Sequence, residues 1–436
     1  MSEVSTLNSS KVLSQNEFNN FASKDKALES NSCNSMGTAG GENQMGSADV
    51  GNGKSLQQKV FTQNTRHQNG GWKFIDETEL KKQRGVCWEL VKSVGNSIIE
   101  GKELTNTSLP IGLFEPRSFL EKLTDTWCYA PQYLPKAAAT SDPVERLKLV
   151  VSFTVAGLHL TSTLSKPFNP LLGETFQAHF SDGTQVYSEQ TSHHPPISNW
   201  EMIDANNTFH YHGYGVWSAA CRGNVVKGYQ KGTHTITFAD GTTITWTLPE
   251  ILIKGIFWGD RVTEFAGKIV FTDEKNKLGC EITFNPHALG FVRSIFSKQK
   301  EPSDYFCGHV YKLNATGNSN SNGKEKDKKK QSERLDSDNV CQVEGSWLTH
   351  LAFDNVNYWE LKMVPQGVIY ESDPLSTDSR YREDLRYLKE GNIEKAKEYK
   401  SLIEDKQRTE AKLRKEGKKE LKEKEKEREK LKKSKN

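Results

Sequence analysis

Between residues 175 and 286 the chain is patterned with a period of two. Thr175–Phe180, 208–214, His234–Phe238, 243–248 and 281–284 alternate or carry β-branched and aromatic residues, and Asp182-Gly183 and Asp240-Gly241 separate such runs as tight turns. Successive short strands joined this way form an antiparallel meander. A sheet of that length curls or closes to remove its edges, so a large barrel is the economical expectation. The aromatic and aliphatic positions suit an apolar cavity inside it. The expected fold class is α+β, mainly β.

One strand ends unusually. Residues 184–188 alternate as a strand and run into 189–196, E-Q-T-S-H-H-P-P, where Pro195 and Pro196 cannot donate ladder hydrogen bonds. Neighbouring strand residues point to opposite faces, so His193 and His194 share one target only if the backbone twists there. Two imidazoles so placed can donate to an anion, and their charge responds to pH near neutrality. A strand end whose histidines merely satisfy nearby carbonyls explains an isolated pair equally well. A metal reading would add His210 and His212 from one strand face, but no acidic or cysteine third ligand stands at a helpful spacing. No metal, cofactor or enzymatic activity is expected.

The flanking segments supply other candidates. Residues 1–72 are dominated by Ser, Asn, Gly and Gln and are expected to be a disordered tail, since they cannot bury enough apolar surface to offset chain entropy. From 85 to 101, Trp88, Val91, Val94 and Ile98 mark an amphipathic helix. Leu109-Pro110-Ile111-Gly112-Leu113-Phe114 follows, which is either ordinary core or, with its proline and glycine, a movable cover. Ser118 is placed to cap a second helix, and Asp142-Pro143 opens a third. In residues 166–174, K-P-F-N-P-L-L-G-E, two prolines and a glycine prevent a regular element. That loop presents Lys166 and Asn169, a point charge and an amide suited to phosphate, or it is a solvated turn. Residues 314–339, with Lys328-Lys329-Lys330, read as a disordered loop inserted between the strand-like stretches 307–313 and 340–347. Towards the end, Lys400, Glu404 and Arg408 share one helix face, a spacing that also describes plain surface ion pairs. Residues 409–436 read as a charged helix or tail.

A formal net charge of +3 over 436 residues gives no basis for nucleic-acid binding. The seven cysteines form no C-x-x-C pair and are odd in number, which points to a reducing compartment. The N-terminus lacks a signal-peptide pattern, and the longest apolar run, 149–160, is too short to cross a bilayer. A cytosolic monomer is expected.

Four blocks together resemble one family. Residues 189–196 (EQTSHHPP), 166–174 (KPFNPLLGE), 252–259 (LIKGIFWG) and 377–408 (TDSRYREDLRYLKEGN to KQR) are similar, in order, to the signature blocks of the oxysterol-binding-protein-related family. The resemblance implies an incomplete antiparallel β-barrel around an apolar tunnel, with an N-terminal lid and C-terminal helices, over residues 73–408. It implies a carrier that exchanges a sterol or phosphatidylserine against phosphatidylinositol 4-phosphate between membranes, touching anionic membranes peripherally and transiently. By position the phosphate-binding residues become Lys166, Asn169, His193, His194, Lys400 and Arg408, with Glu404 supporting the last two. The lid falls at about 85–114, and Trp88, Val91, Leu109, Ile111, Leu113 and Phe114 are expected to line it and the tunnel. The tail is too polar to form an accessory phosphoinositide-binding domain, no endoplasmic-reticulum docking motif is convincing, and the inserted loop is longer than the resemblance leads one to expect. Sterol is the favoured second lipid. The alternative is a phosphoinositide sensor or scaffold that moves nothing.

Overall fold

The computed structural model describes residues 64–105, 107–286, 301–313, 338–371 and 373–433. Most of the expected tail, up to residue 63, lies outside these, as does the expected insertion except for its last two residues. The folded body begins earlier than 73, however. Asn64–Arg66 and Trp72–Phe74 pair antiparallel, and Trp72–Phe74 also joins the strand Val262–Asp273. Gly70 and Gly71 turn the chain between them at φ of 89° and 85°, so the polar, glycine-rich composition here is that of a tight turn.

The meander is present. Thr175–Phe180, Gln185–Ser192, Ile197–Ile203 and Phe209–Arg222 run antiparallel in sequence order. Asp182 and Asp240 each accept from the backbone N–H two residues on, and Gly183 and Gly241 take positive φ, as the two expected hairpin turns require. Phe209–Arg222 runs for 14 residues and, besides Ile197–Ile203, pairs with His234–Phe238 along its first half and with Val225–Lys231 and Glu100–Glu103 along its second. That branching lets one sheet bend around an interior. Further on, Val262–Asp273, Leu278–Phe284, Tyr305–Lys312, Asn339–Ser346, His350–Phe353 and Val356–Glu360 continue the sheet. The hairpin expected to flank the insertion is therefore there. Ile369–Glu371 pairs at the opposite edge, with Thr175–Phe180. Among the described residues no pairing joins Val356–Glu360 to Ile369–Glu371, so the barrel is incomplete.

Six helices are described: α1 (Glu77–Val94), α2 (Phe119–Asp125), α3 (Ala130–Ala139), α4 (Pro143–Gly157), α5 (Glu383–Lys389) and α6 (Ile393–Lys433). α1 starts eight residues before the expected position. Asp76 caps it by accepting from Glu79 N at 2.9 Å, and Gly85, read as a boundary, sits inside it. Ser118 and Asp142 cap α2 and α4 as expected. α3, which carries Pro131 and Pro135, gave no sequence signal. α4 is buried from Leu149 to Gly157 and lies against Leu278–Phe284, His350–Phe353 and Val356–Glu360, beside one open edge. Its β-branched residues are poor helix formers, but burial at roughly 1.5–3 kcal/mol per large aliphatic side chain outweighs a few tenths of propensity. Gly157 permits the close approach: a Cβ there would stand 1.9 Å from the Thr126 carbonyl oxygen.

Candidate functional site

A cavity of about 470 Å³ lies within the bent sheet. Its wall includes Leu123, Trp127, Phe153 and Leu158 from the helical side and Trp217, Leu248 and Phe265 from the strands. Ring contacts hold this wall, with Trp127 at 5.7 Å and Phe153 at 5.7 Å from Tyr211. Polar groups in the wall satisfy one another: Tyr211 Oη is 2.7 Å from His234 Nδ1, and Ser198 Oγ donates to Gln190 at 2.6 Å. Burial pushes His234 down to about 3, so it stays a neutral imidazole. Lys122 also borders the cavity, its ammonium held by Asp125 at 2.9 Å.

The cover comes from α1 and the segment after it. Cys87, Leu90 and Val91 face the cavity, followed by Ile98, Leu104, Leu109 and Leu113. Val91, Leu109 and Leu113 therefore border the cavity. Trp88 does not: it is 43% exposed, with its ring 4.8 Å from Phe257. One residue further along a helix turns 100°, so a face containing Cys87 and Val91 carries Trp88 outward. Ile111 and Phe114 also miss the cavity and pack with Phe168 and Leu385 instead.

Phe114 anchors the mouth. Phe114–Ser118 lies parallel to Lys166–Phe168, so the stretch expected to be irregular begins with a short strand. The register sets Phe114 opposite Lys166, whose Nζ stands 4.9 Å from the Phe114 ring centre, while Lys400 Nζ stands 5.4 Å from the same ring. An aromatic face attracts both ammoniums and lets two like charges approach. Lys166 Nζ donates to Asn169 Oδ1 at 2.5 Å and to the Pro167 carbonyl at 2.9 Å. Burial, then the charges of Lys400 and Arg382, push Lys166 down to about 7 against the pull of Glu115. Lys166, Asn169 and His193 all border the cavity.

His193 and His194 have ring centres 4.5 Å apart. His193 Nδ1 is buried and makes no hydrogen bond of normal geometry. Burial and His194 hold His193 below its ordinary range, opposed by the Pro170 carbonyl and Glu404. His194 is exposed and faces a neighbouring groove rather than the cavity. On α6, Lys400 donates to Glu404 at 2.5 Å and to Ser108 at 3.2 Å, and Ser108 donates to Glu404 at 2.7 Å. The end of the cover is thus tied to α6. Arg408 turns away: it donates to Asp405 at 2.7 Å, lies 3.9 Å from Glu404 and is 61% exposed. The structure brings Lys166, Asn169, His193, Lys400 and Glu404 together, sets His194 at their flank and leaves Arg408 outside.

Sequence reasoning missed the clamp beneath this cluster. Buried Arg382 donates to the Asn169 carbonyl, to Glu174 Oε2 and to both oxygens of Asp384, at 2.8–3.1 Å. Glu174 also accepts from Leu171 N at 2.9 Å and from the Ser118 hydroxyl. It thereby fixes the Lys166 loop to the start of α2. Both residues fall inside the quoted blocks, but no local pattern pairs side chains 208 positions apart. The histidines of the metal reading are placed differently, with His210 Nε2 2.7 Å from Glu201, and among the described residues no group of three His, Cys, Asp or Glu is arranged to hold a metal ion.

A family model described as Oxysterol-binding protein matches residues 90–435, which include every residue of this mouth. The chain belongs to the oxysterol-binding protein family. It is 59% identical over 366 residues to Oxysterol-binding protein 9 of Dictyostelium discoideum, covering 83% of each chain. To human Oxysterol-binding protein-related protein 1 it is 31% identical over 352 residues, 72% of this chain but only 37% of that longer protein. Among solved structures, the Osh1 ORD domain in complex with cholesterol has a TM-score of 0.58 at 23% identity, covering 76% of this chain and 80% of that one. The Osh3 ORD of Saccharomyces cerevisiae in complex with PI(4)P has a TM-score of 0.56 at 23% identity, covering 75% and 84%. At that identity the likeness speaks to the fold, and it agrees with the family's incomplete barrel. Asn64–Arg66, Trp72–Phe74 and most of α1 precede the matched stretch.

Proposed function

We propose that the protein binds a lipid in the cavity under its cover and exchanges it against phosphatidylinositol 4-phosphate between membranes. The observation that carries this reading is the continuity of an apolar wall with a cationic mouth. Lys166, Asn169 and His193 border the cavity that Leu109 and Leu113 cover, and Lys400 stands over the same ring as Lys166. A phosphomonoester carries nearly two negative charges, and charge-assisted bonds from ammonium and imidazole groups suit it better than neutral donors do. Acyl chains or a sterol body would occupy the apolar part, at about 25 cal/mol per Å² buried. The cavity falls within the roughly 300–1,000 Å³ of small-molecule sites. Arg408 would join the headgroup contacts by swinging from Asp405. Among the described residues no helix is long and apolar enough to cross a membrane, which suits peripheral, transient membrane contact.

The second lipid is a sterol or phosphatidylserine, with the sterol favoured by the family resemblance. Mass spectrometry of lipids that co-purify with the protein identifies it. Transfer between donor and acceptor liposomes tests the exchange. His193→Ala with His194→Ala is expected to abolish extraction of phosphatidylinositol 4-phosphate and spare the second lipid; equal loss of both would make the pair structural. Wild-type binding without net movement would leave a sensor or scaffold.

A further inference from the structure

Beside the mouth runs a groove of about 1000 Å³ that the carrier reading leaves unused. One bank is the histidine loop, with Thr191, Ser192, His193 and His194; the other is α6 between Gln407 and Lys422. At 100° per residue, Lys412, Lys415, Lys419 and Lys422 fall within roughly 80° of arc. Lys418 and Arg414 flank them on the same bank. Glu410 and Glu420 point elsewhere, so of the glutamates between 410 and 422 only Glu416 borders the groove. A Lys/Glu-rich helix could neutralise itself through pairs four residues apart. Here Glu416 stands four residues after Lys412 and Glu423 four after Lys419, on the arc next to the lysines. The lysines are exposed, and among the described residues none of the five pairs with a carboxylate, whereas Arg414 lies 3.7 Å from Glu410.

We infer that this lysine face of α6 is the surface on which the protein rests against an anionic bilayer, with its mouth turned to the lipid it extracts. The inference deepens the carrier reading and rests on it. From Lys412 to Lys422 the face extends about 15 Å along the helix, longer than one headgroup, and its charges are spread as a plane of headgroups would meet them. His193 borders both the groove and the cavity, so a phosphate reaching the loop from this side is already at the mouth. Each lysine near an anionic surface is worth roughly a fivefold change in partition, and salt weakens the sum.

The test uses the full chain and phosphatidylcholine vesicles with or without phosphatidylserine, free of phosphoinositide, in co-sedimentation at two salt concentrations. Wild type is expected to bind the anionic vesicles in a salt-sensitive way. K412E/K415E/K419E/K422E should lose at least about tenfold in partition, and the matching Lys→Gln variant should fall between, with helix content by circular dichroism unchanged. The quadruple variant should still bind phosphatidylinositol 4-phosphate presented in zwitterionic detergent micelles. Unchanged vesicle binding, or equal loss in micelles, overturns the assignment. So does tight lysine-dependent binding of free inositol trisphosphate without vesicle binding, which would make the groove a soluble-phosphate site. Lysine-dependent vesicle binding by a protein that transfers no lipid would uphold this surface and sink the carrier reading.

Discussion

Headgroup affinity should fall steeply as pH rises above 7, because Lys166 titrates there. Its ammonium, ordinarily at 10.5, is pushed down to about 7 by burial and by Lys400 and Arg382. At pH 7 about half of the ligand-free molecules carry the charge, at pH 8 about one in eleven and at pH 9 about one in a hundred. Apparent affinity scales with the competent fraction. A phosphate that requires the charged form should therefore bind about fivefold more weakly at pH 8 than at pH 7, and about tenfold more weakly again at pH 9. The phosphate's own second ionisation, near pH 6, is nearly complete by then, and burial and His194 hold His193 below its ordinary range. Ligand-free stability should move the opposite way. Between about 7 and 10.5 the folded chain binds fewer protons at Lys166 than the unfolded chain does, so this residue's contribution to stability rises with pH. Calorimetric titration with a soluble short-chain phosphatidylinositol 4-phosphate from pH 6.5 to 9 measures the slope. Lys166→Arg, charged at every pH, should flatten it. Wild-type affinity constant within twofold between pH 7 and 9, or an equal slope in the arginine variant, would refute the reasoning.

Two further outcomes follow from the packing. Arg382→Ala strands the buried carboxylates of Glu174 and Asp384 and should cost about 3–5 kcal/mol in urea unfolding; a loss under about 1 kcal/mol would mean the clamp holds nothing. Val91→Asp places a carboxylate in the cavity wall and should empty the protein of co-purifying lipid, whereas Trp88→Ala, on the outer face of the same helix, should leave loading unchanged. The reverse pattern by mass spectrometry would mean that α1 presents its other face to the ligand.

Much of the architecture was legible because it is local. A period of two, the Asp-Gly turns and the caps at Ser118 and Asp142 act over four residues or fewer, so composition and spacing revealed the meander, its hairpins and two helix starts. The quoted blocks marked Lys166, Asn169, the histidine pair, Lys400 and Arg408, and the fold gathers all but His194, at the flank, and Arg408, outside. What local signals mark less well is phase. Gly85 hid the true start of α1, and with it which of Trp88 and Val91 faces inward. Pairings between distant segments were out of reach. The parallel strands that set Phe114 under two ammoniums, the Arg382–Glu174 clamp and the Ser108–Glu404 tie each join residues at least 50 positions apart. The clamp forms only when burial makes an unpaired charge costly, and that cost depends on what the whole fold places alongside. The residues of the mouth were thus present in the sequence, while the shifted titration of Lys166 was settled by tertiary packing, through its burial and the charges of Lys400 and Arg382 set beside it.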